Sequence, residues 1–279
     1  LKQETKVGGF AQTRDREFYT RQLGLTHISY MFKNSLLYLP EDQIFAQQNM
    51  GLNIPSEAGY PDSTGFKLSE LTKPTDKYSA TSKLFAGYLM LDTKYKEWFR
   101  VIYGVRFENF FQKVNAERIK GVPLVIERKN LDFLPSINLI FSLNEKQNIR
   151  ASYSKTVNRP EFRELAPFNW YDPETRFLLS GREDLVKCDI QNYDLRYEVY
   201  PGRGQILSAS AFYKDFKNPI EIVASENASD ELVFKNTPKA TIIGAELEFR
   251  VIIGALFKTD SIKFLNNLSV FSNLSYFKS

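Results

Sequence analysis

Cysteine and histidine are almost absent from this chain of 279 residues, which contains one of each, Cys188 and His27. A single thiol forms no internal disulfide, and a lone histidine without cysteine neighbours supports neither a zinc site nor a Ser-His-Asp triad. The G-x-S-x-G, H-E-x-x-H, Walker and C-x-x-C motifs are also absent. The sequence therefore predicts no enzyme, no metal site and no cofactor.

Long hydrophobic runs are missing as well. No stretch of about 18 consecutive apolar residues occurs, which excludes a transmembrane helix but not a β-barrel, whose strands alternate in polarity. The net charge is only +4, with basic residues spread along the chain, so nucleic acid is not an expected partner. Aromatic residues, in contrast, are abundant, and the 15 Tyr and 23 Phe favour an all-β protein.

The candidate strands alternate between an apolar face and an ionic face. In "NYDLRYEV", Tyr193, Leu195 and Tyr197 share one face, and Asp194, Arg196 and Glu198 share the other. The segments "FRVIYGVRFENFF" and "TIIGAELEFRV" repeat the pattern. In a soluble sandwich the apolar face would meet a second sheet, whereas in an outer-membrane barrel it would face lipid and the ionic face would line a wet lumen. The predicted ionic positions are Arg106, Glu108, Arg196, Glu198, Glu246 and Glu248.

The connections distinguish the two architectures. Long polar stretches at 33–82, 115–130, 158–189 and 224–239 alternate with short links such as "KYKEW", "SLNEKQN" and "YPGRGQ". In an antiparallel up-and-down sheet, every long loop then lies at one end and the short turns lie at the other, as in outer-membrane barrels. About nine strands are predicted, which do not close a barrel. Residues 1–279 are therefore expected to form part of one transmembrane β-barrel domain.

One long loop carries the candidate ligand-binding residues. The segment "NRPEFRELAPFNWYDPETRFLLSGRED" combines arginine with aromatic side chains, which suit sugars, iron chelates and other planar or anionic ligands. The predicted contacts are Arg159, Trp170, Tyr171 and Arg182. The alternative is that Trp170 and Phe168 pack the loop against its neighbours, since a loop of this length needs its own small core.

Several motifs, in order along the chain, resemble the barrel of TonB-dependent outer-membrane receptors, especially those of Bacteroidetes-type bacteria. They are "DKYSATSKLFAGYLMLD", "VIYGVRFE", "ASYSKTVNRPEFRELAPF", "YDLRYEVYPGRGQILSASAFYKDFKNPIE" and "TIIGAELEF". The resemblance implies a 22-strand barrel in the outer membrane of a Gram-negative bacterium, filled by an N-terminal plug domain. It also implies import of a scarce nutrient, namely an iron chelate such as a siderophore, haem, cobalamin or a glycan, with energy transmitted by TonB.

The same resemblance suggests partners. These are outer-membrane lipid, the protein's own plug domain, the TonB complex, the small-molecule or glycan ligand and a possible surface lipoprotein. The ionic face would contact the plug or water. The plug, the TonB box and the barrel-closing strands are expected to lie outside this chain. A passive porin, an adhesin barrel and a soluble β-sandwich carbohydrate-binding module are the alternative functions.

Overall fold

The computed structural model describes residues 1–27, 38–50, 54–55, 61–62, 66–174, 176–202, 204–225, 231–254, 264 and 268–279. Its strands are β1 (Lys2–Tyr19), β2 (Leu23–His27), β3 (Ile54–Pro55), β4 (Pro61–Asp62), β5 (Phe66–Glu70), β6 (Lys77–Lys96), β7 (Phe99–Glu117), β8 (Pro123–Asn144), β9 (Gln147–Asn158), β10 (Asn169–Asp172), β11 (Phe177–Ser180), β12 (Cys188–Val199), β13 (Ile206–Lys217), β14 (Ile220–Ala224), β15 (Glu231–Asn236), β16 (Lys239–Ile252) and β17 (Ser269–Lys278). The α-helices α1 (Glu41–Ile44) and α2 (Phe162–Leu165) are short, as are the 3-10 turns Gln47–Asn49 and Pro74–Asp76. None of the helices in these ranges has the length and apolarity needed to cross a bilayer.

Nine of these strands form one antiparallel sheet, in the order β1-β6-β7-β8-β9-β12-β13-β16-β17. Neighbours in the sheet follow one another along the chain, apart from short strands that lie within the long loops. Among the described strands β1 and β17 have one neighbour each, so the sheet is an unclosed part of a barrel. The predicted all-β, antiparallel architecture with about nine strands is confirmed.

Burial on this sheet is the reverse of that in a soluble protein. On β7 the side chain of Phe107 is 50% exposed while that of its neighbour Glu108 is 7% exposed, and on β12 the values are 54% for Leu195 and 5% for Glu198. We call the face that carries Glu108 and Glu198 the inner face and the opposite face the outer face. Apolar side chains thus cover the outside, as a lipid-facing wall requires.

A row of tyrosines marks one border of the outer apolar band. Tyr153, Tyr193 and Tyr213 are cross-strand neighbours, with ring centroids 5.1 Å and 6.1 Å apart. The hydroxyls of Tyr153 and Tyr193 donate to Gln191 Oε1 at 3.4 Å and 3.1 Å. Gln191 lies in a polar cross-strand row with Lys155 and Asp215. Aromatic rings below polar groups are typical of a membrane interface.

The predicted long loop at 115–130 is wrong, because β7 and β8 continue as a tall hairpin with its tip at 118–122. Ala116 pairs with Leu124 and Val114 with Ile126, and all four side chains are buried on the inner face. The period-2 pattern thus continues through a segment of polar composition. Gly121 closes the tip with a φ of 73°, a backbone conformation that glycine adopts without strain.

The long loop between β9 and β12 folds onto the inner face. Its Phe162, Leu165 and Phe168 join Val114 and Ile126 of the wall in one hydrophobic cluster. Within this loop β10 pairs with β11, which pairs in parallel with β15 from the connection between β13 and β16. Two separate connections therefore form one small sheet above the wall, because together they bury apolar side chains that neither buries alone.

Candidate functional site

The predicted ionic positions all lie on the inner face, and most of them pair with one another. Arg106 contacts Glu108 at 2.6 Å. Arg196 bridges Glu198 at 3.1 Å and Glu248 at 2.6 Å. Glu246 lies opposite Ser210 on the same face. These side chains give the inner wall a charged, hydrogen-bonded lining.

Arg159 belongs to a second ionic group that fastens the long loop. Its Nη2 donates to Asp132 Oδ2 at 2.5 Å and to Glu108 Oε2 at 2.7 Å, and its guanidinium lies 4.5 Å from the ring centroid of Phe110. Lys187 Nζ donates to the other oxygen of Asp132. Arg159 follows β9 and Lys187 precedes β12, so one buried carboxylate on β8 holds both ends of the loop.

Trp170 lies in the loop core, as the packing alternative predicted. Its indole stacks between Phe168 and Phe234, with centroids 5.9 Å and 5.8 Å away. The Arg163 guanidinium lies 3.8 Å from the indole centroid, and burial lowers the pKa of Arg163. Arg159 and Trp170 therefore help to hold the loop in place, and their role as ligand contacts stays a prediction.

A cavity of about 750 Å³ lies at the loop end of the molecule. Its walls are the β7–β8 tip at 118–122, the turn at 73–76, and parts of the docked loop between 167 and 184. Such a volume lies within the range of small-molecule sites. Arg182 lines this cavity, whereas Tyr171 is 58% exposed on the adjacent β10.

The cavity brings together charged side chains from three separate segments. Arg182 pairs with Asp184 at 2.5 Å and Arg118 with Glu183 at 2.8 Å. Lys73 and Lys120 also line it and form no ion pair within the part of the chain that the structure describes. Lys73, Arg118 and Lys120 were missed from the sequence because they approach Arg182 only through the docking of the loop.

The acidic residues of the cavity equal its basic residues in number, since Asp76, Glu183, Asp184 and Glu231 face Lys73, Arg118, Lys120 and Arg182 in the lining. Asp76 is buried and accepts a hydrogen bond from the Lys73 backbone N–H at 2.7 Å, and Glu231 completes the lining. No group of three His, Cys, Asp or Glu side chains suitable for a metal ion occurs in the described ranges. The cavity is thus equipped for polar and ionic recognition of a small molecule.

Comparison with solved structures shows similar folds in bacterial receptors. The siderophore receptor PirA from Pseudomonas aeruginosa is similar with a TM-score of 0.50 and 17% identity, over 76% of this chain and 45% of that one. The hemophore receptor HasR of Serratia marcescens gives 0.49 and 12%, over 66% and 34%. The ferric-catecholate import receptor Fiu of E. coli K12 gives 0.47 and 14%, over 73% and 30%. The chain therefore spans less than half the length of each of these receptors.

Sequence comparison identifies the family of this chain. A search of the curated proteins gave no match. The family model described as "TonB dependent receptor-like, beta-barrel" matches residues 5–279, nearly the whole chain. The resemblance inferred from the strand motifs is thereby confirmed. This chain belongs to the TonB-dependent receptor-like β-barrel family.

Proposed function

We propose that the whole protein is an active transporter in the outer membrane of a Gram-negative bacterium. It binds a scarce nutrient at its outer surface and imports it with energy transmitted by TonB. Membership of the receptor family and the apolar outer face of the sheet support this proposal. Residues 1–279 are part of one barrel domain in this proposal, and further strands of the same protein pair with β1 and β17, since open sheet edges are not tolerated in lipid.

The cavity of about 750 Å³ is the proposed ligand site, and it is the observation that carries the proposal. Lys73 and Lys120 line it without an ion pair in the described ranges, and Arg118 and Arg182 add guanidinium donors, while four carboxylates of the lining balance the formal charge. Cationic donors of this kind suit the oxygen-rich, anionic surface of an iron chelate. We therefore place a ferric siderophore first among the candidate nutrients, ahead of haem, cobalamin and glycans.

The inner-face residues have a separate proposed role. Arg106, Glu108, Arg196, Glu198, Glu246 and Glu248 would face a plug domain or lumen water. A plug that must move during import favours contacts that water can replace, and partly exposed ion pairs meet that condition because each contributes only about 0–1 kcal/mol. Arg196 with Glu248 is such a pair, at about one-third exposure on each side.

The test is chelate binding by the full-length receptor. Ferric catecholate, hydroxamate and carboxylate chelates are titrated against the purified protein, and the variant Lys73→Gln/Lys120→Gln is compared with it. We expect the double variant to bind its chelate about tenfold more weakly, since two charge-assisted contacts are lost. Lys129→Gln is the matched control, because Lys129 lies on the outer face beside Phe111.

Two results would contradict the proposal. One is that no chelate binds the receptor, and the other is that the double variant and the control bind equally well. Uptake is measured in parallel in whole cells, with and without a protonophore. Uptake that continues unchanged without a proton gradient would exclude TonB-energised transport and favour a passive porin.

A further inference from the structure

The barrel wall divides between β8 and β9. Their pairing runs from Ser136 opposite Ser154 to Asn144 opposite Gln147. Residues 123–135 of β8 pair with β7 but with no described strand on their other side, while β9 continues along β12 as far as Asn158. A second cavity, of about 310 Å³, lies where the two strands separate.

Four of the eleven residues that line this cavity are cations. Arg128, Arg159, Lys187 and Lys217 line it, with Asp189 as the single carboxylate. Arg128 donates to the carbonyl oxygens of Leu185 and Glu183 at 3.1 Å and 2.5 Å, and neutral carbonyls leave its charge uncompensated. Neither Arg128 nor Lys217 forms an ion pair with a carboxylate in the described ranges.

The surrounding ion pairs do not remove the excess of positive charge. A continuous chain of contacts connects Arg106, Glu108, Arg159, Asp132, Lys187, Asp189 and Lys155, which makes four cations and three carboxylates. Arg128 and Lys217 add two more cations at the cavity itself. The contacts therefore leave positive charge at the cavity that a bound anion would balance.

Two buried polar atoms at the cavity have no hydrogen-bond partner in the structure. They are Arg159 Nε, a donor, and Gln112 Oε1, an acceptor. The Gln112 side chain is 3% exposed, and its amide is oriented by donation from Nε2 to the Pro160 carbonyl oxygen at 2.9 Å. Both atoms are enclosed by protein in this structure, so a ligand in the cavity meets the other polar groups of the lining.

We propose that this cavity binds a phosphate group. A phosphate offers several anionic acceptor oxygens to Arg128 and Lys217, the two lining cations that have no carboxylate partner in the described ranges. A doubly charged phosphate balances both of these cations, whereas a carboxylate balances only one. The size of the cavity and its two unpaired cations together favour this chemistry, independently of the nutrient that the receptor transports.

The phosphate has two potential sources. Gln112 and Arg128 are cross-strand partners on the inner face, whereas Asp189 and Lys217 are cross-strand partners on the outer face, so the lining of the cavity includes residues from both faces of the wall. A third cavity, of about 330 Å³, shares Asp189 and Lys217 with it and reaches Tyr153 of the tyrosine row. The site is therefore within reach of a lipid headgroup phosphate as well as of free phosphate.

The experiment uses the full-length receptor purified in a non-ionic detergent. In the first arm inorganic phosphate is titrated by equilibrium dialysis. In the second arm the receptor is placed in nanodiscs that contain either lipid A or dephosphorylated lipid A, and bound lipid is counted by native mass spectrometry. The variants are Lys217→Glu and Lys217→Gln, with Lys214→Glu as the control, since Lys214 lies on the same strand but on the inner face.

Each outcome decides the proposal. Saturable phosphate binding that Lys217→Glu weakens about tenfold and Lys217→Gln less, with Lys214→Glu unchanged, supports the site with free phosphate as ligand. Binding of lipid A alone, with the same dependence on Lys217 and no binding of the dephosphorylated form, supports the site with a lipid headgroup as ligand. If neither ligand binds, or if Lys217→Glu and Lys214→Glu behave alike, the proposal is overturned.

Discussion

Replacing Asp132 by Asn tests whether one carboxylate holds both ends of the long loop. The variant keeps the shape of the side chain but removes the charge that faces Arg159 and Lys187. Removing one partner of a fully buried pair costs about 3–5 kcal/mol. Arg159 keeps Glu108 and Lys187 keeps Asp189, and both cations are partly exposed, so we expect about 2 kcal/mol.

A loss of about 2 kcal/mol corresponds to about a 30-fold increase in the equilibrium constant for opening of the loop. Amide hydrogen exchange of the full-length receptor measures it directly, through the protection of residues 162–185. Asp194→Asn is the matched control, because Asp194 is an exposed carboxylate on β12 whose hydrogen bond comes from the Ser152 hydroxyl at 3.4 Å. If the protection factors of residues 162–185 in Asp132→Asn stay within about threefold of those in the control, Asp132 does not hold the two ends of the loop.

Three further predictions concern the packing of the docked loop. Leu165→Ala removes a fully buried side chain and should destabilise the loop by about 2–5 kcal/mol, measured as faster limited proteolysis of the full-length receptor. Gly181→Ala places a Cβ 2.0 Å from the Ala166 carbonyl oxygen, so we expect a loss of about 1–3 kcal/mol in the same assay, and wild-type resistance would contradict the close approach. Burial raises the pKa of Glu164, whose carboxylate accepts the Glu161 backbone N–H at 2.9 Å. Its contribution to docking is therefore fully present below its unfolded-state pKa and is lost as pH rises through the higher folded-state pKa. We therefore expect the loop of Glu164→Gln to resist proteolysis better than that of the wild type at neutral pH, and equally well at acidic pH. A difference in proteolysis rate that does not depend on pH would contradict this reasoning.

The faces of the strands could be predicted from the sequence because strand periodicity is a local property. Tyr193 and Leu195 project outward and Glu198 inward, as alternation alone requires. At 115–130 the composition indicates a loop, because polar residues lie on both sides of Leu124 and Ile126. The buried Leu124 and Ile126 show that the alternation persists to the hairpin tip.

The site was harder to predict because it depends on contacts between distant segments. The sequence identifies Arg159 as a candidate ligand contact, but its partner Asp132 lies 27 positions earlier and no spacing rule connects the two residues. Lys73 and Lys120 reach the same cavity as Arg182 only after the loop has docked. Composition indicated that the loop carries recognition chemistry, whereas the direction of each side chain was set by tertiary packing.

The order of strands in the main sheet also bears on how such a wall is assembled in the cell. Each strand pairs with its predecessor, and the short strands of the intervening loops join other, smaller sheets. A growing wall of this kind can be extended by one hairpin at a time, always at the edge formed by the most recently added strand. The loops can therefore acquire new lengths and sequences without disturbing the register of strands already in the membrane.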